Sequence, residues 1–268
     1  MEIFPNHPRA ESLRIRKKLS EAFEKGIVVP EGLAAHGRGE AFDYLLGEAT
    51  TEPARRAIGA GAALLLTSSR PVISVNGNAA ALVASELVKL SELTGAALEV
   101  NLFHPSPERE QKIAELLRKE GAREVLGTDP NYATTIPEIQ SHRRKVDKRG
   151  IFQADTVLVP LEDGDRTQAL RRMGKKVIAI DLNPLSRTSL SADITIVDNI
   201  VRALPLLVKT VENLRGRPDE QREILRRFDN RKNLLESLAT ILSRLQRLSS
   251  GEGLLPSASP PASSEPIP

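Results

Sequence analysis

Short aliphatic runs alternate with helical patterns through the middle of the chain, and this alternation constrains the fold more than any other feature. The runs are Val72–Val75, Leu98–Phe103, Glu124–Leu126, Thr156–Val159, Val177–Ile180 and Ile194–Val197, each bounded by turn residues. Helices with readable ends lie between them. Asn78 is placed to cap one that runs to Leu93, with Gly95 beyond it. Ser106-Pro107 opens a second, closed by Arg118, Lys119 and Gly121, and Asp165 opens a third that stops at Gly174. Such alternation predicts right-handed crossovers and an α/β fold, a Rossmann-like parallel sheet with helices on both faces. The core must be aliphatic, because the chain has six Phe, two Tyr and no Trp. Strands buried on both faces have this character.

Helical segments flank the sheet: roughly Pro8 to Lys25 and Glu40 to Leu66 before it, and Val201–Leu214, Asp219–Phe228 and Arg231–Leu248 after it. The last carries Leu234, Leu238, Ile241, Leu245 and Leu248 in a narrow seam, which fits packing on the protein's own body or, alternatively, a dimer contact. Residues 1–248 are expected to form one α/β domain. Residues 249–268 contain six Ser, five Pro and two Gly with no Lys or Arg. That composition predicts a disordered tail, with too little apolar surface to offset its ordering entropy.

Composition removes several classes. Zero Cys excludes disulfides, thiol nucleophiles and thiolate-held metals, and suits the reducing cytoplasm. No 18-residue apolar run exists, and Met1 to Arg16 carries charges where a signal peptide needs an apolar core, so neither a membrane nor a secreted protein is expected. A net charge of +3 and few aromatics speak against a nucleic-acid partner. The P-loop, the G-x-G-x-x-G fingerprint, H-E-x-x-H and G-x-S-x-G are all absent.

The informative residues stand at the carboxyl ends of the expected strands, where open α/β sheets bind ligands. Asn76-Gly77-Asn78 before a helix is either a simple capped turn or an anion or amide site. Glu162-Asp163-Gly164-Asp165 is either a solvated acidic turn or a place for Mg²⁺ or a substrate ammonium. Asp181 ends a strand where a ribose would be held, and Arg187, Thr188 and Ser189 suit phosphate oxygens. Asp198-Asn199 opens the next helix. Near the N-terminus, Gly37 and Gly39 flank Arg38 and would allow close approach to a ligand, with Glu40 and Asp43 in the first turn of the following helix. His36 standing alone would be structural. The run Arg143-Arg144-Lys145 with Lys148 and Arg149 falls in a long predicted loop. Its local +4 charge reads as a solvated surface or, less commonly, a lid reaching for phosphate.

These strings resemble a known family. His36-Gly37-Arg38-Gly39-Glu40-Ala41-Phe42-Asp43-Tyr44, Val75-Asn76-Gly77-Asn78, the stretch from Val159 to Thr167, that from Asp181 to Arg187, and that from Ala192 to Ile200 are similar to the archaeal phosphopantothenate synthetases, the 4-phosphopantoate–β-alanine ligases of coenzyme A biosynthesis. The likeness spans roughly Ile3 to Leu248. It departs after Leu102-Phe103, where His104-Pro105 replaces an aromatic followed by a cation, and around Arg143.

The resemblance implies a Rossmann-like homodimer that uses ATP to join 4-phosphopantoate to β-alanine, releasing AMP and diphosphate. The chemistry of activating a carboxylate adds the expectation of Mg²⁺ on the triphosphate and of an acyl-adenylate, with an acyl phosphate as the alternative route. It also implies ATP contacts at Arg16, Arg38, Asp181, Leu182, Asn183, Arg187, Thr188, Asn199 and Ile200. For the substrate's polar groups the candidates are Asn76, Gly77 and Asn78. Asp163 is the candidate for receiving the β-alanine ammonium and His36 for taking its proton. No metal ligand is assigned. The rival expectations are an NAD(P)-dependent oxidoreductase and a non-catalytic nucleotide-sensing module on the same sheet.

Overall fold

The computed structural model describes residues 9–161 and 164–251, together with Phe4 and His7. The candidate Asp163, its neighbour Glu162 and the tail beyond residue 251 lie outside the described residues. In chain order the elements are α1 (Ala10–Glu24), α2 (Pro30–Leu46), α3 (Glu52–Thr67), β1 (Pro71–Val75), α4 (Gly77–Thr94), β2 (Ala97–Val100), α5 (Pro107–Lys119), β3 (Ala133–Thr135), β4 (Lys145–Asp147), β5 (Thr156–Pro160), α6 (Gly164–Arg172), β6 (Lys176–Ile180), α7 (Arg187–Ser191), β7 (Ile194–Ile196), α8 (Ile200–Leu214), α9 (Pro218–Arg227) and α10 (Asn230–Ser249).

Five strands form a parallel sheet in the order β2-β1-β5-β6-β7. The chain leaves β1 toward β2 on one side and returns through β5 to β7 on the other, so the strand order reverses between β1 and β5. A crevice opens at such a reversal. Strand side chains alternate between two buried layers. Ile73, Leu98, Leu158, Ile178 and Ile196 pack beneath helices α3, α4, α5 and α8. Val72, Val157, Val159, Val177 and Ala179 pack beneath α6 together with Ile136, Ile139, Val146 and Ile151. The parallel α/β expectation therefore holds, although part of the second face is covered by an irregular segment instead of a helix.

Several local expectations change. Glu124–Leu126 is not a strand: Leu126 makes only one parallel bridge, to Glu99. The supposed loop holding the basic run is a turn at 142–144 leading into β4, which pairs antiparallel with β3. Helix α2 begins at Pro30 and passes straight through Gly37 and Gly39, so Glu40 and Asp43 stand in its second half, not its first turn. Helix α4 is capped by Asn76, whose side chain accepts from Ala79 N–H, and not by Asn78. Its backbone leaves the helical region at Val83 (φ −144°, ψ 34°). Only a short segment then aligns its peptide dipoles on Gly77, which weakens the anion argument made for that end. Asp165 lies inside α6 and does not precede it. On α10, Leu234 and Ile241 pack against Leu46, Leu182 and Val197, so the seam covers the protein's own body at those positions.

Candidate active site

The loops that follow β1, β5, β6 and β7 open, with one wall from α2, onto a cleft of about 670 Å³. A nucleotide and a small acid fit within that volume range. His36, Arg38, Asn76, Gly77, Asn78, Asp181, Leu182, Asn183, Arg187, Thr188, Asn199 and Ile200 all line it. Arg16 does not. It lies on α1, with Nη2 donating to Glu40 Oε2 at 2.6 Å, and Ser12 and Tyr44 also donate to that carboxylate.

After β6 the loop is held by its own side chains. Asp181 accepts from Asn183 N–H (2.9 Å) and from Ser186 Oγ (2.5 Å), and Ser186 caps α7 by accepting from Ser189 N–H. Burial pushes the Asp181 carboxyl up from its ordinary value, while Ser186, Asn183 and the Arg38 charge work to keep it ionised. Arg187, exposed at the start of α7, pairs with Asp165 at 2.5 Å. A side chain at Gly164 would place its Cβ 2.3 Å from the Arg187 Cβ, so a glycine is what lets α6 and α7 meet at the cleft.

After β7 a buried ion network sets the next residues. Arg202 donates to Asp43 through both Nη atoms (3.1 and 2.6 Å) and to Asp198 through Nε and Nη2 (3.0 and 2.7 Å). Thr50 Oγ1 donates to Asp198 at 2.6 Å. Asn199, the cap of α8, donates from Nδ2 to Asp43 at 2.9 Å. Burial raises the Asp198 carboxyl against the pull of Arg202. Without Arg202 two desolvated carboxylates would face each other. No sequence spacing singled out Arg202, because its partners come from α2 and from the loop after β7.

At the reversal point the structure gives Asn76 and Asn78 architectural partners. Asn76 Nδ2 donates to the Pro160 carbonyl (2.7 Å), tying the end of β1 to that of β5. Asn78 Nδ2 donates to the Gly32 carbonyl (2.8 Å), tying α4 to α2. A Cβ at Gly77 would sit 2.3 Å from the Ile27 carbonyl oxygen, so only glycine fits there. His36 is half-buried on the α2 wall. Burial pushes its pKa below the ordinary value, Glu40 and Asp43 oppose the shift, and Arg16 adds to it. The imidazole is therefore neutral and able to accept a proton near pH 7.

The far end of the cleft was not foreseen. Arg109 and Arg143 line it, with Phe103 and His104. Arg143, read as part of a solvated run or a lid, is buried, and its Nη1 donates to the Asn101 carbonyl at 3.1 Å. Lys145 pairs with Glu110, and Arg149 with Asp147 and Glu124. The run is thus largely engaged by the protein. Among the described residues, no three His, Asp or Glu side chains cluster to hold a metal ion, and no helix is long and apolar enough to cross a membrane.

The chain matches the family described as phosphopantothenate/pantothenate synthetase over residues 53–244. It is 52% identical to the 4-phosphopantoate–β-alanine ligase of Thermococcus kodakarensis, over 91% of this chain and 93% of that one. Identity to the ligase of the same name from Thermococcus onnurineus is 51%, over 94% and 96%. To that of Methanosarcina mazei it is 47%, over 92% and 97%. With the matched span running from α3 through most of α10, and so taking in every strand of the sheet that carries the cleft, this chain belongs to the phosphopantothenate/pantothenate synthetase family.

Proposed function

We propose that this chain is an ATP-dependent ligase that condenses 4-phosphopantoate with β-alanine to 4′-phosphopantothenate, releasing AMP and diphosphate, in coenzyme A biosynthesis. The observation that carries this reading is one cleft that gathers the loops after β6 and β7 with the guanidinium groups of Arg38 and Arg187. The three compared relatives, each matching more than nine-tenths of this chain, bear the name of that ligase.

A carboxylate must be activated before an amine attacks it. The 4-phosphopantoate carboxylate attacks the α-phosphorus of ATP; an acyl-oxygen–phosphorus bond forms and the bond to the β-phosphate oxygen breaks, so diphosphate leaves. The β-alanine amine then attacks the acyl carbon; a carbon–nitrogen bond forms, the acyl carbon–oxygen bond breaks, and AMP departs with the bridging oxygen and its electron pair. Neutral His36 takes the proton that the amine loses. Arg38 and Arg187 neutralise phosphate charge, while Asp181, Asn183 and Asn199 accept or donate to ribose and adenine. Leu182 and Ile200 give the base an apolar contact, and Thr188 adds a hydroxyl beside the phosphates.

In this reading Arg16 exchanges its partly exposed Glu40 pair for a phosphate oxygen, at small cost because exposed pairs contribute about 0–1 kcal/mol. With Asn76 and Asn78 tied to backbone carbonyls, their part, like that of Gly77, is to shape the pocket. Mg²⁺ enters with ATP, and no protein ligand is assigned to it. The reading takes residues 1–248 as one unit working in the cytoplasm, and as a homodimer, for which exposed Leu235, Leu242 and Leu245 on α10 offer apolar surface. Sedimentation at micromolar concentration tests the dimer.

The decisive assay incubates the protein with ATP, 4-phosphopantoate and β-alanine. AMP formed in step with phosphopantothenate is expected, together with 4-phosphopantoate-dependent positional isotope exchange in ATP. ADP as product would replace the adenylate by an acyl phosphate. Binding of ATP without turnover would leave a nucleotide sensor.

A further inference from the structure

Two carboxylates follow His36 on α2, Glu40 one turn on and Asp43 two, and each is paired with an arginine. The pairs differ in how firmly they are held. Arg202, whose side chain is 25% exposed, bridges Asp43 and Asp198, and Asn199 adds a further donor to Asp43. Removing that arginine would leave two desolvated carboxylates. Arg16, which pairs with Glu40, comes from α1 and is 45% exposed. Its Nη2 donates to Glu40 Oε2 at 2.6 Å, while Ser12 Oγ (2.5 Å) and Tyr44 Oη (3.1 Å) donate to Oε1. Arg9 stands farther off, 4.0 Å from Oε1, and donates to Tyr44. Glu40 therefore keeps two hydroxyl donors if Arg16 leaves, and stays in place. Against burial, the hydrogen bonds of Arg16, Ser12 and Tyr44 hold its carboxyl below the ordinary value. Residues four apart on a helix bring their Cβ atoms within about 5–6 Å, so Glu40 and His36 share one face of α2. Burial acts on His36 most strongly; the charges that bear on it are Glu40, Arg16 and Asp43.

We infer that Glu40 is a positioning residue that ties nucleotide binding to proton transfer: it holds Arg16 on α1 until the phosphates of ATP draw that arginine off, and its released carboxylate then acts on His36. The inference rests on the proposed ligase reading, in which Arg16 moves to a phosphate oxygen and His36 takes the amine proton, and it supplies the link between those two events. The departure of Arg16 withdraws a cation from the imidazole and uncovers an anion one turn away. Both changes favour the imidazolium. Asp43, neutralised by Arg202 throughout, contributes a constant background. When the amine attacks the acyl carbon, its proton passes to the imidazole, the electron pair of the broken N–H bond stays on nitrogen, and the imidazolium forms beside the Glu40 carboxylate. Burial opposes that charge in both states, so the change is one of degree. A base is more effective as its pKa approaches the working pH. His36 thus gains strength as a base only once the nucleotide is in place.

The test titrates His36 by NMR in the full-length protein, with and without ATP and with no other substrate present; H36Q identifies its signal among the four imidazoles. ATP is expected to raise the His36 pKa of the wild type by about half a unit or more. Without ATP, E40Q should titrate below the wild type and R16Q above it, opposite shifts from the two members of one ion pair. The charge of ATP acts on every variant alike, so the coupling is read from the difference: the response to ATP should fall to less than about half in E40Q and R16Q, and stay at the wild-type size in R9Q and E40D. In the AMP assay E40Q should lower kcat about threefold to tenfold at pH 7 with KM for ATP no higher than wild type, because Arg16 is already free. A loosened α1–α2 contact would instead raise that KM. Wild-type responses in E40Q and R16Q, or shifts of the same sign in both, would overturn the inference. Should E40Q fail to fold, R16Q against R9Q decides it, since an equal response to ATP in the two would overturn the link. A wild type that shows the ATP-linked shift but releases no AMP overturns the ligase reading and leaves the link standing. An active wild type whose His36 titrates alike with and without ATP overturns the link alone.

Discussion

The two ends of the cleft are built differently. The loop after β6 is shaped by hydrogen bonds among near neighbours: Asp181 to Asn183 and Ser186, and Ser186 to Ser189, each bond spanning five positions or fewer. The end near β2 is held by contacts across the chain. Arg109 reaches back 82 positions to Ile27, Arg143 reaches 42 to Asn101, and Asn78 reaches 46 to Gly32. Short-range contacts preserve a loop's shape through small shifts of the domain. Long-range ones make the geometry of the end near β2 a property of the whole fold. Local strings therefore reveal the end at the β6 loop, whereas the other end exists only once α2, α4, α5 and the β3–β4 hairpin have docked.

The contrast can be broken or sharpened by experiment. The largest effect is expected from Arg202→Ala. Although the β6 loop is locally held, the adjoining α8 cap depends on Arg202, and its removal leaves Asp43 and Asp198 buried without a counter-charge. Breaking such a pair costs about 3–5 kcal/mol, read from denaturant unfolding. A loss below about 1 kcal/mol would show that this side needs no long-range support. Arg38→Ala, which removes a cleft guanidinium rather than a support, should lower kcat/KM for ATP more than tenfold while leaving KM for 4-phosphopantoate nearly unchanged. That follows from the roughly 1.5–3 kcal/mol of a charge-assisted hydrogen bond. Equal changes for both substrates would dissolve the division of the cleft.

Two smaller effects depend on pH. Glu99 is fully buried and accepts the N–H groups of Asp147 (3.0 Å) and Ile151 (2.6 Å), thereby anchoring the hairpin that carries Arg143. Burial pushes its carboxyl up to about 7, partly offset by those two hydrogen bonds. The folded state thus keeps a proton that the unfolded chain releases in the ordinary carboxylate range. The stability this gives is complete at acid pH and is lost as pH rises through about 7, with a slope of at most ~1.4 kcal/mol per pH unit. Thermal melts of Glu99→Gln should lack that slope. For His36 the lowered pKa places the acid limb of kcat below that of an ordinary imidazole, because the neutral base survives to lower pH. A His36→Gln enzyme with an unchanged limb would remove His36 from the proton transfer.

Much of the fold could be read from the chain. The aliphatic runs at 72–75, 156–159 and 177–180 became central strands because burial on both faces demands such runs. The run at 124–126 has similar residues, but only Leu126 finds a partner. Pairing depends on position in the sheet, which composition does not encode. Gly37 and Gly39 read as the approach to a helix beginning near Glu40, because flanking glycines let a backbone come close to a ligand. Helix α2 persists nonetheless, with Pro30 in its first turn and Phe42 and Leu46 packed below. Asn78 read as the cap because it precedes the apolar pattern. The true cap is Asn76, whose amide is also drawn to the end of β5. Arg143 read as solvated charge, and the hairpin buries it.

What the sequence determined by itself is the alternation of strands and helices in the parallel sheet, its aliphatic core, and the polar loops at the carboxyl ends of its strands. Each follows from periodicity and turn chemistry within a dozen residues. Only the tertiary structure decided that Arg202 links α2 to α8, that Asn76 and Asn78 serve as ties, and that Arg109 and Arg143 line one cleft. Those pairings bring together residues tens to more than a hundred positions apart, and nothing but the docking of the elements sets which side chains share a desolvated space.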